Sequence, residues 1–329
     1  MSFVVLTSPT YVYIFRYDII RYWIILITTR GSAKWMIKLI NELLKYDRKF
    51  SSLPRTIQLR APSINFWSKV VILYCVYFWA IHFAIIPSTL KKIELVQLFV
   101  GTTFGVPRLV DFAVLTTTCF FLGNFGCRFR ALNEFWKSLI VSFEILPEYW
   151  TNEDIVMIIE CCRLLHADLC TMLRMFSLAY GPVLLVSFLF FIVDIVHHFF
   201  IIGYIDDPYL SIMPAVISIL QFIFYISVIL TLGSWSRYQK NMIILNIRST
   251  QVANLPENVF EQVLFFMEQV SSYEYYELSA FGVFDYDLTL ISWITVFVFK
   301  CVITKVQMDE NSSFNNLVNV TFPGLCTYE

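Results

Sequence analysis

The stretch PYLSIMPAVISILQFIFYISVILTLGSWS, residues 208–236, decides the class of fold. It contains no charged side chain, and it lies between Asp207 and Arg237. A bilayer core about 30 Å thick needs about 20 apolar residues in a helix, so this stretch can cross a membrane. The whole chain agrees, because 58% of its 329 residues are hydrophobic and 15% are charged, against about 45–50% and 25% in soluble domains. We therefore expect an all-α polytopic membrane protein.

Further runs with few charges predict additional spans. A sixth and more doubtful run, Tyr11–Thr29, has the right length but carries Arg16, Asp18 and Arg21. About six spans are therefore visible. The other four runs each contain at most two charged side chains and are Val70–Leu90, Phe112–Cys127, Met175–Val193 (extending to about Gly203) and Leu288–Val306.

Basic residues are distributed unequally between the connections. Seventeen Lys and Arg lie in segments 30–69, 128–174 and 237–248, whereas three lie in the alternate connections. The positive-inside rule then places the three long connections in the cytoplasm. It places the short loops near residues 91–111 and 204–210, and the C-terminal tail, outside the cell. The orientation of the N-terminus stays open.

The C-terminal tail carries two glycosylation patterns. They are Asn311-Ser312-Ser313 and Asn319-Val320-Thr321, which match the Asn-x-Ser/Thr acceptor. Both fall on the side that the basic residues assign to the exterior. The sequence therefore predicts a glycoprotein with one transmembrane helical domain, residues 1–308, and an extracellular tail, residues 309–329.

Helical extensions are expected on the cytoplasmic side, at residues 30–69, 128–178 and 237–286. Two of them contain apolar residues at alternating steps of three and four, which is the pattern of a helix with one apolar face. Pro256, before Glu257, stands at a first-turn position and marks the start of the second helix. We expect the two apolar faces to pack together beneath the membrane. The faces are Ile155, Ile158, Cys162, Leu165, Leu169, Met172 and Phe176 in the first helix, and Val259, Val263, Phe266, Val270 and Tyr273 in the second.

Signatures of enzymes are missing from the sequence. It has no P-loop, dinucleotide fingerprint, Gly-x-Ser-x-Gly or His-Glu-x-x-His motif, so we expect neither catalysis nor a cofactor. Cys162, His166 and Cys170 share one helical face, where zinc is geometrically possible. A fourth ligand is not evident, and Cys162 belongs to the apolar face, so packing is favoured and no metal is predicted. A net charge of −1 also gives no basic field for nucleic acid.

Ionisable residues near the extracellular ends of the spans suggest a ligand site. Charged groups within a membrane are costly and usually functional. One reading pairs Asp194 with His198, one helical turn apart, inside the bundle. The other reading places both in an outward-facing ligand pocket with His82, Asp111 and Gln221.

The last span contains a polar face of Lys300, Thr304 and Gln307, because a helix turns by 100° per residue. A lysine exposed to lipid at mid-bilayer costs at least about 2.5 kcal/mol. A water-filled path would remove most of that cost. Lys305 points away from this face and can reach the outer interface by snorkelling.

Four short motifs, taken in order, resemble the insect gustatory receptor family, which is related to the insect odorant receptors. LSAFGVF at residues 278–284 resembles the family's entry to its last membrane helix. That helix closes with Thr-Tyr, five mainly hydrophobic residues and Gln-Phe. The matching positions here are Lys300-Cys301, residues 302–306 and Gln307-Met308. The Gln and the spacing agree with the family, whereas Thr, Tyr and the final Phe are absent. RFRALN at residues 128–133 and LHADL at 165–169 resemble the segments around its fourth and fifth helices.

The resemblance implies a seven-helix fold in which the first helix is here missing or shortened. It implies a chemosensory receptor in the plasma membrane, a subunit of a homo- or heterotetrameric cation channel opened by small-molecule tastants. The last helix, with Lys300, Thr304 and Gln307, would then line the pore. One alternative is a non-conducting subunit, or a protein of this fold with a role outside taste. A G-protein-coupled receptor or a transporter is the alternative from another class.

Overall fold

The computed structural model describes residues 9–52, 106–144, 151–204, 208–249, 255–273 and 285–310, with single helical positions at 69, 72, 73 and 76. Every regular element in these ranges is a helix, and the all-α class is thereby confirmed. The helices are α1 Pro9–Ser51, α2 Val106–Glu144, α3 Asn152–Tyr204, α4 Pro208–Arg248, α5 Glu257–Tyr273 and α6 Thr289–Glu310.

Local sequence signals explain where α3 and α5 begin. The Thr151 hydroxyl accepts a hydrogen bond from the Asp154 N–H at 3.3 Å, and the Asp154 carboxylate accepts one from the Thr151 N–H at 3.0 Å. This reciprocal pair is a capping box, which satisfies donors that a helix start leaves open. Pro256 precedes α5, and its carbonyl accepts from Val259 and Phe260 at 2.9 Å, so the predicted start is confirmed.

Three helices are long and apolar enough to cross a membrane within the described residues. They contain Val110–Leu139, Asn152–Phe199 and Ile219–Arg248, with mean hydropathies of 1.3, 2.2 and 1.7. These match three of the expected spans and support a membrane protein, but six spans are not confirmed. The apolar part of α6 is shorter, Thr289–Thr304, and most of the expected span Val70–Leu90 lies outside the described residues.

The helices extend well beyond a bilayer. α3 has 53 residues, which is about 80 Å at 1.5 Å per residue, and a bilayer core measures about 30 Å. A large part of α3 must therefore project outside the membrane. Its half from Asn152 to Arg174 carries the charges, whereas the half after Met175 is apolar as far as Asp194. This charged half falls within the extension predicted for residues 128–178, whose position in the cytoplasm stays a prediction.

The predicted contact between the two apolar faces is present. All seven positions of the α3 face are buried, and Val259, Val263, Phe266 and Val270 of α5 are at most 2% exposed. The Trp136 ring of α2 meets Phe266 edge to face, with the ring centroids 5.3 Å apart. These residues belong to one hydrophobic core that runs through α1 to α6.

A close crossing of α2 and α4 depends on one glycine. A Cβ atom added at Gly126 would lie 2.1 Å from the Trp235 ring, far inside van der Waals contact. The indole therefore occupies the space that any other residue at position 126 would need. This contact fixes how closely the two helices approach each other.

Candidate functional site

An ionic cluster joins α1, α2 and α3 inside the bundle. Arg21 of α1 binds Asp111 of α2, with Nη2 and Oδ2 2.6 Å apart, and its Nη1 donates to Asp194 Oδ2 of α3. The three residues are 4%, 5% and 7% exposed, respectively. A buried charge is stable only when it is paired, so this single guanidinium binds the three helices together. We call Arg21, Asp111 and Asp194 the ionic cluster.

Aromatic rings surround the guanidinium of the cluster. Arg21 Cζ lies 5.5 Å and 5.4 Å from the ring centroids of Phe190 and Phe191, within the range of cation–π attraction. Tyr17, one turn before Arg21, donates from its hydroxyl to the Phe190 carbonyl at 3.4 Å and packs against the ring of that residue. The site therefore combines carboxylates and π faces, the chemistry that recognises a guanidinium or ammonium cation, and Arg21 itself occupies it.

The structure brings two of the predicted pocket residues together and gives the other described ones different partners. Asp111 and Asp194 meet through Arg21. His198 lies beside Asp194, but its Nδ1 donates to the Asp194 main-chain carbonyl at 2.7 Å. The His198 ring therefore binds the main chain of Asp194 one turn away, while Arg21 binds the Asp194 carboxylate. Gln221 donates to the Tyr225 hydroxyl on α4, and His82 lies outside the described residues.

Sequence reasoning missed the role of Arg21. In the sequence, Arg21 served only as a reason to doubt that Tyr11–Thr29 crosses the membrane. An arginine in the middle of a span, however, requires an acidic partner on another helix. Asp111 and Asp194 were among the acids near the ends of other spans. The rule that buried charges occur in pairs would have linked all three, but one sequence does not reveal which helices are neighbours.

The polar face of the last span lies away from the bundle. α6 packs through one stripe, centred on Val298, which is 9% exposed, and Lys300, Thr304 and Gln307 are all exposed. At 100° per residue, these three lie about 180–240° from Val298. The exposed surface of α6 also carries large apolar side chains, with Trp293 at 73% and Phe299 at 66%, together with the small polar residues Thr289, Ser292 and Thr295. The side chain of Lys305 is not among those described.

The inner end of α4 binds the chain on both sides of the connection to α6. Lys240, 4% exposed, donates from Nζ to the Tyr273 carbonyl at 2.9 Å. One turn before Lys240, Arg237 lies 3.7 Å from the Asp287 carboxylate. Ser234, a further turn back, donates a hydrogen bond to the same carboxylate at 3.3 Å. Asp287 also accepts from the Leu288 N–H at 2.6 Å, directly before α6 begins.

The cysteine and histidine set packs as part of the core. His166 is 1% exposed, and its ring contacts Phe129, Phe266 and Tyr273 edge to face at 5.8–6.2 Å. Cys170 Sγ is 3.7 Å from His166 Nε2. Among the described residues, no group of three His, Cys, Asp or Glu side chains could hold a metal ion, so the surroundings of His166 favour packing.

Motif residues on α2 connect α2 to α1 and α4. Arg128 binds the Asp47 carboxylate of α1 through two nitrogens, at 2.9 Å and 2.7 Å. Asn133 donates to the Gln239 carbonyl of α4 at 2.7 Å and accepts from Asn246 at 3.3 Å. The RFRALN segment is therefore a junction between three helices.

Other predicted sites cannot be placed. Asn311 and Asn319 lie outside the described residues, as does the segment 278–284 that carries part of the resemblance. No protein-family model matches the chain, and no curated protein matches it.

Proposed function

We propose that the protein is a chemosensory receptor of the insect gustatory type, a subunit of a tetrameric cation channel that small-molecule tastants open in the plasma membrane. The resemblance of its motifs suggests the family. The observation that carries the proposal is the position of α6, an apolar helix at the edge of the bundle that contacts it along a single stripe.

A helix placed in this way needs further partners. Its apolar flanks, with Trp293, Phe297 and Phe299 all more than half exposed, can meet lipid or neighbouring copies. Lys300, Thr304 and Gln307 cannot face lipid without cost. Four copies arranged around an axis would place these polar faces on a shared aqueous path and the flanks against each other and lipid.

The binding of α6 to α4 supplies a route for gating. Arg237 and Asp287 form an ion pair at the start of α6, and Lys240 holds the end of α5. Because both contacts arise from one face of α4, a movement of α4 would carry the start of α6 with it. α4 also contacts the α3 segment next to the ionic cluster, through Phe222 and Phe191 at 5.3 Å.

The charge of Lys300 favours a mixed tetramer over a homotetramer. Four lysines around a narrow path would repel cations, since unit charges about 4 Å apart interact by roughly 4 kcal/mol at an effective dielectric of 20. Neutral residues from partner subunits would dilute this barrier. A non-conducting subunit of the same fold is therefore the second candidate, whereas a coupled receptor requires a cytoplasmic C-terminus, which the basic residues contradict.

The test is electrical recording on cells that express the chain alone and with related receptor subunits, with a panel of tastants. We expect little current from the chain alone, and more current or greater cation selectivity from Lys300→Thr. The matched control is Phe299→Thr, on the flank of the same turn, which should leave selectivity unchanged. A large cation current from the unmodified homomer, insensitive to Lys300→Thr, would show that Lys300 does not face the path. Absence of current in every combination would reject the channel.

A further inference from the structure

An exposed face of α1 changes from apolar to basic within one helical turn. Ile20, Trp23 and Ile27 are 55%, 54% and 67% exposed, and at 100° per residue all three lie on the same side of the helix as Arg30. From Arg30 onward this side carries cations, with Ile37, 61% exposed, as the apolar residue among them. An apolar surface that abruptly becomes basic marks the level at which lipid hydrocarbon ends.

The cations follow one another along a single line. Arg30, Lys34 and Lys38 are exposed and four residues apart, so successive positions are about 6 Å apart along the axis and rotated by only 40°. The line therefore covers about 12 Å, enough to cross the layer of lipid headgroups and end within a Debye length of it. We call these three residues the basic face.

No acidic residue neutralises the basic face locally. The sequence from Arg30 to Asn41 contains neither Asp nor Glu, and none of the three cations forms an ion pair with a described residue. The next acid, Glu42, binds Lys45 at 2.6 Å. The basic face therefore presents three positive charges together.

The opposite side of α1 is occupied, so the basic face does not belong to the core. Ile25, Ser32, Leu39 and Tyr46 are at most 5% exposed and lie about 120–180° from the basic face. Trp35, beside it, is 40% exposed, and Lys38 Nζ lies 5.6 Å from the indole centroid. Tryptophan with an adjacent cation is typical of the membrane–water interface.

We propose that the basic face binds the anionic headgroups of phospholipids in the cytoplasmic leaflet. The three ammonium and guanidinium groups match headgroup phosphates and carboxylates in charge, and the apolar surface before Arg30 receives the acyl chains of the same lipids. Basic clusters directly next to a membrane span bind such lipids in this way. The proposal requires membrane insertion, and it is independent of channel activity.

The test measures which lipids remain bound to the protein. The full-length chain is reconstituted in phosphatidylcholine vesicles that contain a minority of phosphatidylserine, extracted in polymer nanodiscs, and analysed for both lipids. Each cation should favour the anionic lipid about fivefold. We expect enrichment of phosphatidylserine around the wild type, lost in Arg30→Gln/Lys34→Gln/Lys38→Gln and reduced in high salt.

A matched control removes three exposed cations elsewhere. The variant Lys45→Gln/Arg48→Gln/Lys137→Gln loses the same net charge about 10 Å or more farther along α1 and on α2, and it should retain the enrichment. Equal enrichment in all three proteins would overturn the proposal. Unchanged enrichment with loss of the oligomer in the first variant would also overturn it, and would assign the face to a second copy of the chain.

Discussion

Replacement of Arg21 by methionine should severely destabilise the bundle. Methionine preserves much of the side-chain length and apolar contact of Arg21 with Phe190 and Phe191, but it removes the guanidinium. Asp111 and Asp194, both more than 90% buried, would then lie near each other with the cation between them gone. The substitution therefore isolates the charge.

The expected magnitude follows from the burial of the cluster. Removal of one member of a buried ion pair costs about 3–5 kcal/mol, because the remaining charge is left uncompensated. Here two carboxylates remain, and their mutual repulsion adds to the cost. Since whole proteins are stable by only about 5–15 kcal/mol, the variant should lose a large share of its folded population.

Unfolding of the purified protein in detergent, by heat and by denaturing surfactant, measures this loss. The triple variant Arg21→Met/Asp111→Asn/Asp194→Asn should recover most of the stability, because neutral groups of similar shape can replace a buried ionic cluster at little cost. Asp194→Asn alone should cost less than Arg21→Met, since Asp111 still balances the guanidinium. Lys45→Met, an exposed site on the same helix, should change stability by less than about 0.5 kcal/mol.

Two results would refute this reasoning. If Arg21→Met unfolds like the wild type, then the cluster does not carry the energy that its burial implies. If the triple variant is no more stable than Arg21→Met, then the loss arises from packing and not from uncompensated charge.

Three further outcomes are expected. Gly126→Ala should destabilise the protein by about 1–3 kcal/mol through overpacking, and the added variant Trp235→Leu should partly restore it, as measured by thermal unfolding. Leu165→Asp should abolish folding and not merely assembly, because Leu165 is 2% exposed; a folded monomer on size-exclusion chromatography would contradict this. Glycosidase should shift the mobility of the full-length chain, and Asn311→Gln/Asn319→Gln should remove the shift; a tag after residue 329 that stains only after permeabilisation would reverse the topology.

Periodic patterns in the sequence predicted the apolar faces of α3 and α5 that pack together. The apolar steps in α3 and α5 arise from the same helical geometry that packs the helices. The burial of Cys162 and Val263 could therefore be predicted from their spacing alone. Pro256 likewise marked the start of α5 by a local rule. Signals of this kind depend on neighbours in the chain and therefore need no knowledge of the tertiary fold.

The candidate site was only partly predictable, because its contacts join distant residues. Arg21 and Asp194 are separated by 173 positions, and the sequence contains several other acids that could serve as partners. Asp194 instead suggested His198, its neighbour one turn away. The helix expected over Leu288–Val306 is present as α6, Thr289–Glu310, because an apolar run near a chain end is also a local signal.

The length of α3 has a mechanical consequence. From Asp194 to Asn152 the helix covers 42 positions, about 63 Å, and Pro182 is its one internal proline, where a ladder hydrogen bond is missing and bending is easiest. A rod of that length pivoting at the ionic cluster moves its far end by about 5 Å for a tilt of roughly 5°. A small tilt of α3 at the ionic cluster would therefore become a displacement of several Å at the contacts with α5. How much of the tilt reaches those contacts depends on how stiff the helix is at Pro182.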